Sequence, residues 1–332
     1  MKKEKIVFKN GLIDLAQPRL GTKVIYKTDD FFASAHRIIN PAPAVWKEGV
    51  FDTHGKWMDG WESRRKRTSG HDYLILKLGK PGRIKKIDVD TSHFNGNQPS
   101  MVSLEGCSLS KNQTIKQAKW FQILGKKKTK ANSHHFFSVL NNKVITHVKF
   151  NIFPDGGVAR LRLYGNIATE NIKYGNQTIN LTAMVNGASV IACNNEHFGK
   201  AENVLSPGVG INMGDGWETR RSRGKNFDWI IIKFGMSGII NKLEIDTHHF
   251  KGNYPDSFTV QSALVPSKLK SKKIINSSKK WKFFLGKTKL NPHKKHIYKS
   301  NRFIKNKVNC LRINIFPDGG ISRVRAFGKV VK

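Results

Sequence analysis

Carboxylates are scarce in this chain: 23 Asp+Glu stand against 59 Lys+Arg, a net charge of +36 over 332 residues. Such a field favours anionic partners, whether nucleic acid, an acidic membrane or a small anionic substrate, and it carries no information about fold. Cysteine is scarcer still. Cys107, Cys193 and Cys310 are scattered and form no CxxC, which excludes a disulfide framework and a zinc ribbon. That usage fits a reducing compartment, and a cytoplasmic location is expected. No run approaches 18 consecutive apolar residues, so no membrane-spanning helix is expected. The start, MKKEKIVFKNGLIDL, is basic but lacks the apolar core of a secretory signal. GxSxG, GxxxxGK[ST], GxGxxG and the EF-hand loop are all missing. Histidine pairs occur without HExxH or HxxxH spacing, so no cofactor is evident and a divalent metal is not indicated, though not excluded. What is present, 38% hydrophobic and 10% aromatic residues, suffices for globular domains, and the length suggests two.

The chain repeats itself. DGWESRR (59–65) recurs as DGWETRR (215–221), and HDYLILKLG (71–79) as FDWIIIKFG (227–235). IDVDTSHFNGN (87–97) recurs as LEIDTHHFKGN (243–253), and NIFPDGGVARLRLYG (151–165) as NIFPDGGISRVRAFG (314–328). Changes in the offset place about ten extra residues in the first copy, in PAPAVWKEGVFDTHGKWM, and a lysine-rich insertion, VPSKLKSKK, in the second. Two homologous domains follow, about 1–168 and 176–332, joined near TENIKYGN.

Each copy reads as all-β. Short β-branched or aromatic runs such as LILKL, KKIDVD, WFQIL and HVKFNIF are bounded by Gly, Pro, Asn or Ser. They recur every 8–15 residues, which predicts an antiparallel sandwich of jelly-roll type in each domain. A short helix is expected after Phe32 and after Phe198. Most lysines fall in segments such as GKKKTK and SKLKSKK, read as solvated turns and insertions.

The duplication lets the polar residues be compared within one chain. Seven acidic positions are matched, among them Asp59/Asp215, Glu62/Glu218, Asp90/Asp246 and Asp155/Asp318, so 14 of the 23 acids recur. Matched arginines include Arg64/Arg220, Arg65/Arg221, Arg67/Arg223 and Arg160/Arg323, and of twelve histidines only His93/His249 and His135/His296 recur. In an extended DGWESRR, alternation puts Glu62 and Arg64 on one face, with Asp59, Trp61, Ser63 and Arg65 on the other. A carboxylate can hold a guanidinium fork in one orientation, and the fork can then bind a planar carboxylate or ureido oxygen. The same pattern also suits a structural Glu–Arg bridge with Trp61 in the core. PDGG reads as a turn that could set Asp155 beside Arg160, and Asp318 beside Arg323. Asp90 and His93, with Asp246 and His249, suit a proton-moving pair or satisfied structural residues. His135 and His296 lie in apolar strands and read as core.

The string IDLAQPRLG, TDDFFA, GKWMDGWESRRKR, GHDYLILKLG, DVDTSHFNGNQP and NIFPDGGVARLRLYG, with its second copy, closely resembles the allantoicase family over about residues 10–330. The resemblance implies two tandem jelly rolls of the galactose-binding-like type, assembled in a homo-oligomer. It implies a hydrolase acting on a C–N bond of a linear amidine-type substrate, allantoate, giving ureidoglycolate and urea in allantoin and purine catabolism. That reaction asks for a guanidinium on the substrate carboxylate and an acid or base on the departing urea. Arg64/Arg220 are assigned to the anion, with Arg65/Arg221, Arg160/Arg323 and Asp155/Asp318 as further substrate contacts. Glu62/Glu218 and Asp59/Asp215 are assigned to proton transfer, with His93/His249 and Asp90/Asp246 as alternates. The rival readings are a catalytically silent small-anion or carbohydrate-binding relative and, motivated by charge alone, a nucleic-acid binder. The lysines lack the interleaved aromatics and recognition motif of the latter, so no specific nucleic-acid or membrane partner is expected.

Overall fold

The computed structural model describes residues 6–170, 174–222, 226–299 and 306–331. Arg223 and part of the TENIKYGN junction lie outside the described residues. The chain divides into two compact units, Ile13–Ala168 and a second made of residues from Thr169 onward together with those through Leu12.

In the first unit the organising element is the 19-residue strand Asp72–Asp90. Its first half pairs antiparallel with Lys23–Lys27 on one side and Ile145–Phe153 on the other. Met101–Cys107 and then Phe121–Lys128 extend that layer. Its second half pairs with Arg160–Ile167 and His134–Ser138. The strand therefore turns from one sheet into the other around Gly79 and Gly82, where a Cβ would meet Leu20 O at 2.0 Å and Leu15 Cδ1 at 2.7 Å. The second unit repeats the plan around Asp228–Asp246, flanked by Ser189–Cys193 and Lys307–Phe316, then by Arg323–Val330 and Lys295–Lys299. The result is all-β, two tandem jelly-roll sandwiches. Leu74, Leu76, Val89, Val102, Phe150 and Leu161 fill the first sandwich, and Ile230, Ile232, Leu243, Val260, Ile313 and Val324 the second. Among the described residues no helix is long and apolar enough to cross a membrane.

The expected short helices are present as 3-10 turns, Ala35–Ile39 and Ala201–Leu205. Three features depart from the sequence reading. The end of the lysine-rich insertion opens an α-helix, Ser271–Ser278, whose Ile274 and Ile275, just beyond the insertion, pack with Ala192, Trp229, Ile231 and Cys310. Its lysines mask an amphipathic face. Lys126, Lys127 and Lys128 lie at the end of an edge strand and not in a turn; exposed lysines on an edge discourage pairing with another chain. Finally, Val7–Phe8 adds an edge strand to the second unit by pairing with Ala192 and Cys193. Residues 6–12 thus precede the first repeat in sequence and belong with the second in space.

Candidate functional site

The DGWE motif forms a two-residue strand, Trp61–Glu62, paired with Gly157–Val158; Trp217–Glu218 pairs with Gly320–Ile321. Both tryptophans are fully buried, and each indole N–H donates to a backbone carbonyl at 2.7 Å, Asp29 O for Trp61 and Asn195 O for Trp217. Face alternation stops at Glu62. Ser63 N–H is taken by Gly156 O at 3.1 Å, so the chain leaves the strand there, and Arg64 and Arg65 both emerge into solvent. Arg220 and Arg221 emerge likewise.

Glu62 is 9% exposed. Its Oε1 accepts from Asn97 Nδ2 at 2.7 Å, and burial pushes its carboxyl above the ordinary glutamate value of 4.5 despite that bond. Glu218 takes the same bond from Asn253. The backbone carbonyl of each asparagine accepts the second glycine N–H of PDGG, at 2.7 Å for Gly157 and 2.8 Å for Gly320. That glycine has no room for a side chain: a Cβ would lie 1.9 Å from Phe94 Cε1, or 2.0 Å from Phe250 Cε1 in the second copy. The Pro peptide bonds, Phe153–Pro154 and Phe316–Pro317, are cis. Asp155 accepts from Lys66 N–H at 2.7 Å and Asp318 from Ser222 N–H at 2.6 Å. These carboxylates secure the arginine-bearing loop, and neither is hydrogen-bonded to Arg160 or Arg323.

Arg160 pairs with Asp59. Its Nη2 is 2.6 Å from Asp59 Oδ2, its Nη1 donates to Asp59 O, and its Nε donates to Ala42 O at 2.9 Å. Asp59 Oδ2 also accepts from Val45 N–H. Arg323 does the same with Asp215, at 2.6 Å, and with the carbonyls of Gly208 and Val209. Both pairs are buried and their donors are turned inward, so each pins a loop, Pro41–Val45 or Gly208–Val209, over the end of the sandwich.

Asp90 accepts from Ser92 N–H at 2.8 Å and lies 3.7 Å from His134 Nε2; Asp246 accepts from His248 N–H at 2.9 Å. Asp90 and His93 are therefore not a bonded pair. His93 and His249 take the left-handed backbone conformation, at φ +70° and +72°, uncommon outside glycine. Their Nε2 atoms face the pinned loops, 3.5 Å from Ala44 O and 2.8 Å from Gly210 O. His135 and His296 are satisfied by Val89 O and Ile245 O, and by the N–H of Lys130 and of Asn291.

Outward from Glu62, Arg64 is held by Asp29: Nε donates to Oδ2 at 2.7 Å and the backbone N–H to Oδ1 at 2.8 Å. Burial raises the Asp29 carboxyl, but the N–H groups of Arg64 and Phe31 and the guanidinium outweigh it and hold the carboxyl below its usual range. The guanidinium also lies over the Phe31 ring, 5.1 Å from its centre. Sequence reasoning missed Asp29 because it is not matched in the second copy. It missed Asn97/Asn253 because only charged residues and histidines were compared, although both asparagines stand in the repeated HF-x-GN motif. The cysteines take no part: burial pushes Cys107 up to about 11 and Cys193 and Cys310 up to about 12, leaving inert thiols.

Tandem jelly-roll sandwiches, each with an asparagine-bonded glutamate two residues before an outward arginine, define the class. The Allantoicase repeat family matches residues 13–168 and 179–331. A probable allantoicase of Pseudomonas fluorescens strain Pf0-1 is 48% identical over 321 residues, 96% of this chain and 97% of that protein. One from strain Pf-5 is 46% identical over 333 residues, all of both chains. The crystal structure of allantoicase from Saccharomyces cerevisiae superposes with a TM-score of 0.82 at 33% identity, over 96% of this chain and 94% of that one. The chain belongs to the allantoicase family and is an enzyme of the hydrolase class.

Proposed function

We propose that this chain hydrolyses allantoate to ureidoglycolate and urea at the edge where the chain passes from buried Glu62 to exposed Arg64. Family membership supports the substrate; the observation that carries the site is a buried glutamate with a raised carboxyl, two residues from a guanidinium whose terminal nitrogens face solvent. Allantoate bears one carboxylate and two ureido groups on a single carbon. Arg64 accepts the carboxylate through its fork. Urea leaves poorly as an anion, so Glu62 donates its proton to the departing nitrogen as the C–N bond breaks. The lone pair of the remaining ureido nitrogen closes a C=N bond, and Glu62 is left ionised. Water then adds to that carbon, its oxygen becoming the hydroxyl of ureidoglycolate, and its proton returns to Glu62. A carboxyl raised above its ordinary value serves both halves of that cycle. Asp59/Asp215 and Arg160/Arg323 shape the edge by holding the loops, and His93/His249 border it. The buried thiols are compatible with a reducing cytoplasm.

Replacing Glu62 and Glu218 together by Gln is expected to lower urea release by about 10²–10⁴-fold with the fold retained. A fully active double variant rejects the assignment. Because proton donation needs the protonated form, kcat/KM is expected to fall as pH rises through the raised Glu62 value.

A further inference from the structure

The repeats present the same glutamate and arginine with different support. In the first, Asp29 grips Arg64 through both carboxylate oxygens, Phe31 lies under the guanidinium, and Lys66 Nζ neutralises Asp72 at 2.8 Å. In the second, Asn195, His197 and Ser222 occupy those three positions. Arg220 N–H reaches Asn195 Oδ1 only at 3.3 Å, and its Nη2 lies 3.5 Å from His197 Nε2. The Asn195 side chain is shared with Asp228. A neutral amide cannot replace the charge-assisted grip of a carboxylate on a guanidinium, so the Arg220 fork is not pre-set for a planar anion.

We propose that the N-terminal repeat is the one that binds and turns over the substrate, with Asp29 as the positioning residue that orients Arg64, and that the matched edge of the C-terminal repeat is a non-reacting copy. This rests on the reading of the site as an allantoate hydrolase. Asp29 acts on the anion-binding fork and not on the breaking bond. Its loss therefore belongs in KM.

The test is steady-state urea release by the full chain, with allantoate binding followed by equilibrium dialysis. The single variant Glu62→Gln, with Glu218 intact, is expected to release urea at under 1% of the wild-type rate and to bind one allantoate per chain. Asp29→Asn is expected to raise KM at least tenfold with kcat within threefold, and Asp29→Glu to recover most of that loss. Where Asp29→Asn fails to fold, Arg64→Lys, which keeps the charge and loses the fork, is expected to show the same rise in KM. Near half the wild-type rate in Glu62→Gln, two equal binding sites per chain, or an unchanged KM in the folded Asp29 variant overturns the proposal while leaving allantoate hydrolysis in place. A wild-type chain with neither turnover nor binding overturns the hydrolase reading, and this inference with it.

Discussion

At the scale of single residues, the matched acids divide by what they touch. Asp59 and Arg160 are each other's partner inside the protein, as are Asp215 and Arg323, and each arginine donates to backbone carbonyls with what remains. Removing one partner of such a pair strands a buried charge, at a cost of about 3–5 kcal/mol. Arg160→Ala is therefore expected to lower the unfolding midpoint of the N-terminal repeat by roughly 10 °C, taking about 2–4 °C per kcal/mol. Calorimetry would show it, and an unchanged midpoint would mean that the pair is not holding the loop. Glu62 differs in kind. Its carboxyl is desolvated and held by one amide, so protonation favours the fold: that contribution is complete below 4.5 and fades as pH rises through the raised value. A group kept in a state that costs stability at neutral pH suits chemistry better than architecture. Recurrence in both copies marks these residues alike, since a structural pair and a reacting carboxyl are equally tied to the repeated fold.

At the scale of elements, the first strand of each sandwich shows how covering decides character. Lys23–Lys27 is largely exposed, whereas Ser189–Cys193 is buried throughout. The difference comes from what lies against the second: the helix Ser271–Ser278, Ile6, and the added edge strand Val7–Phe8. Lys9 follows that strand and reaches Glu196 at 2.8 Å and Glu202 at 3.1 Å. Burial lowers its ammonium, but the two glutamates outweigh this and leave it above 10.5. The strand should therefore stay anchored across the ordinary pH range and loosen only in strong alkali. Deleting residues through Leu12 is expected to cut the hydrogen-exchange protection of the Ser189–Cys193 amides at least tenfold. Protection at Lys23–Lys27 should not change, because that strand belongs to the other unit. Equal loss in both strands would show a general destabilisation and reject a local role.

At the scale of the whole molecule, the excess of +36 surrounds a site whose proposed substrate is an anion. Screening length shrinks from about 30 Å at 0.01 M salt to about 8 Å at 0.15 M, so long-range attraction is the component that salt removes. kcat/KM for allantoate is expected to fall several-fold over that range while kcat holds; a flat kcat/KM would mark the lysines as bystanders. The family's expected homo-oligomer is a matter for sedimentation. Much was legible from residues in order. The duplication, the strand spacing and the family all follow from local pattern, because strands and turns are encoded by neighbours along the chain. Glu62 and Arg64 were legible as candidates for the same reason. What remained hidden depends on residues far apart in sequence. Tertiary structure alone paired Asp59 with Arg160 across a hundred residues, set Asp29 on Arg64, and sent the strand at Val7–Phe8 to the second repeat. It also continued the end of a lysine-rich insertion into a covering helix. Composition and spacing name the charges, but only packing decides which donor meets which acceptor, because burial makes every unpaired polar group costly and so selects one set of partners.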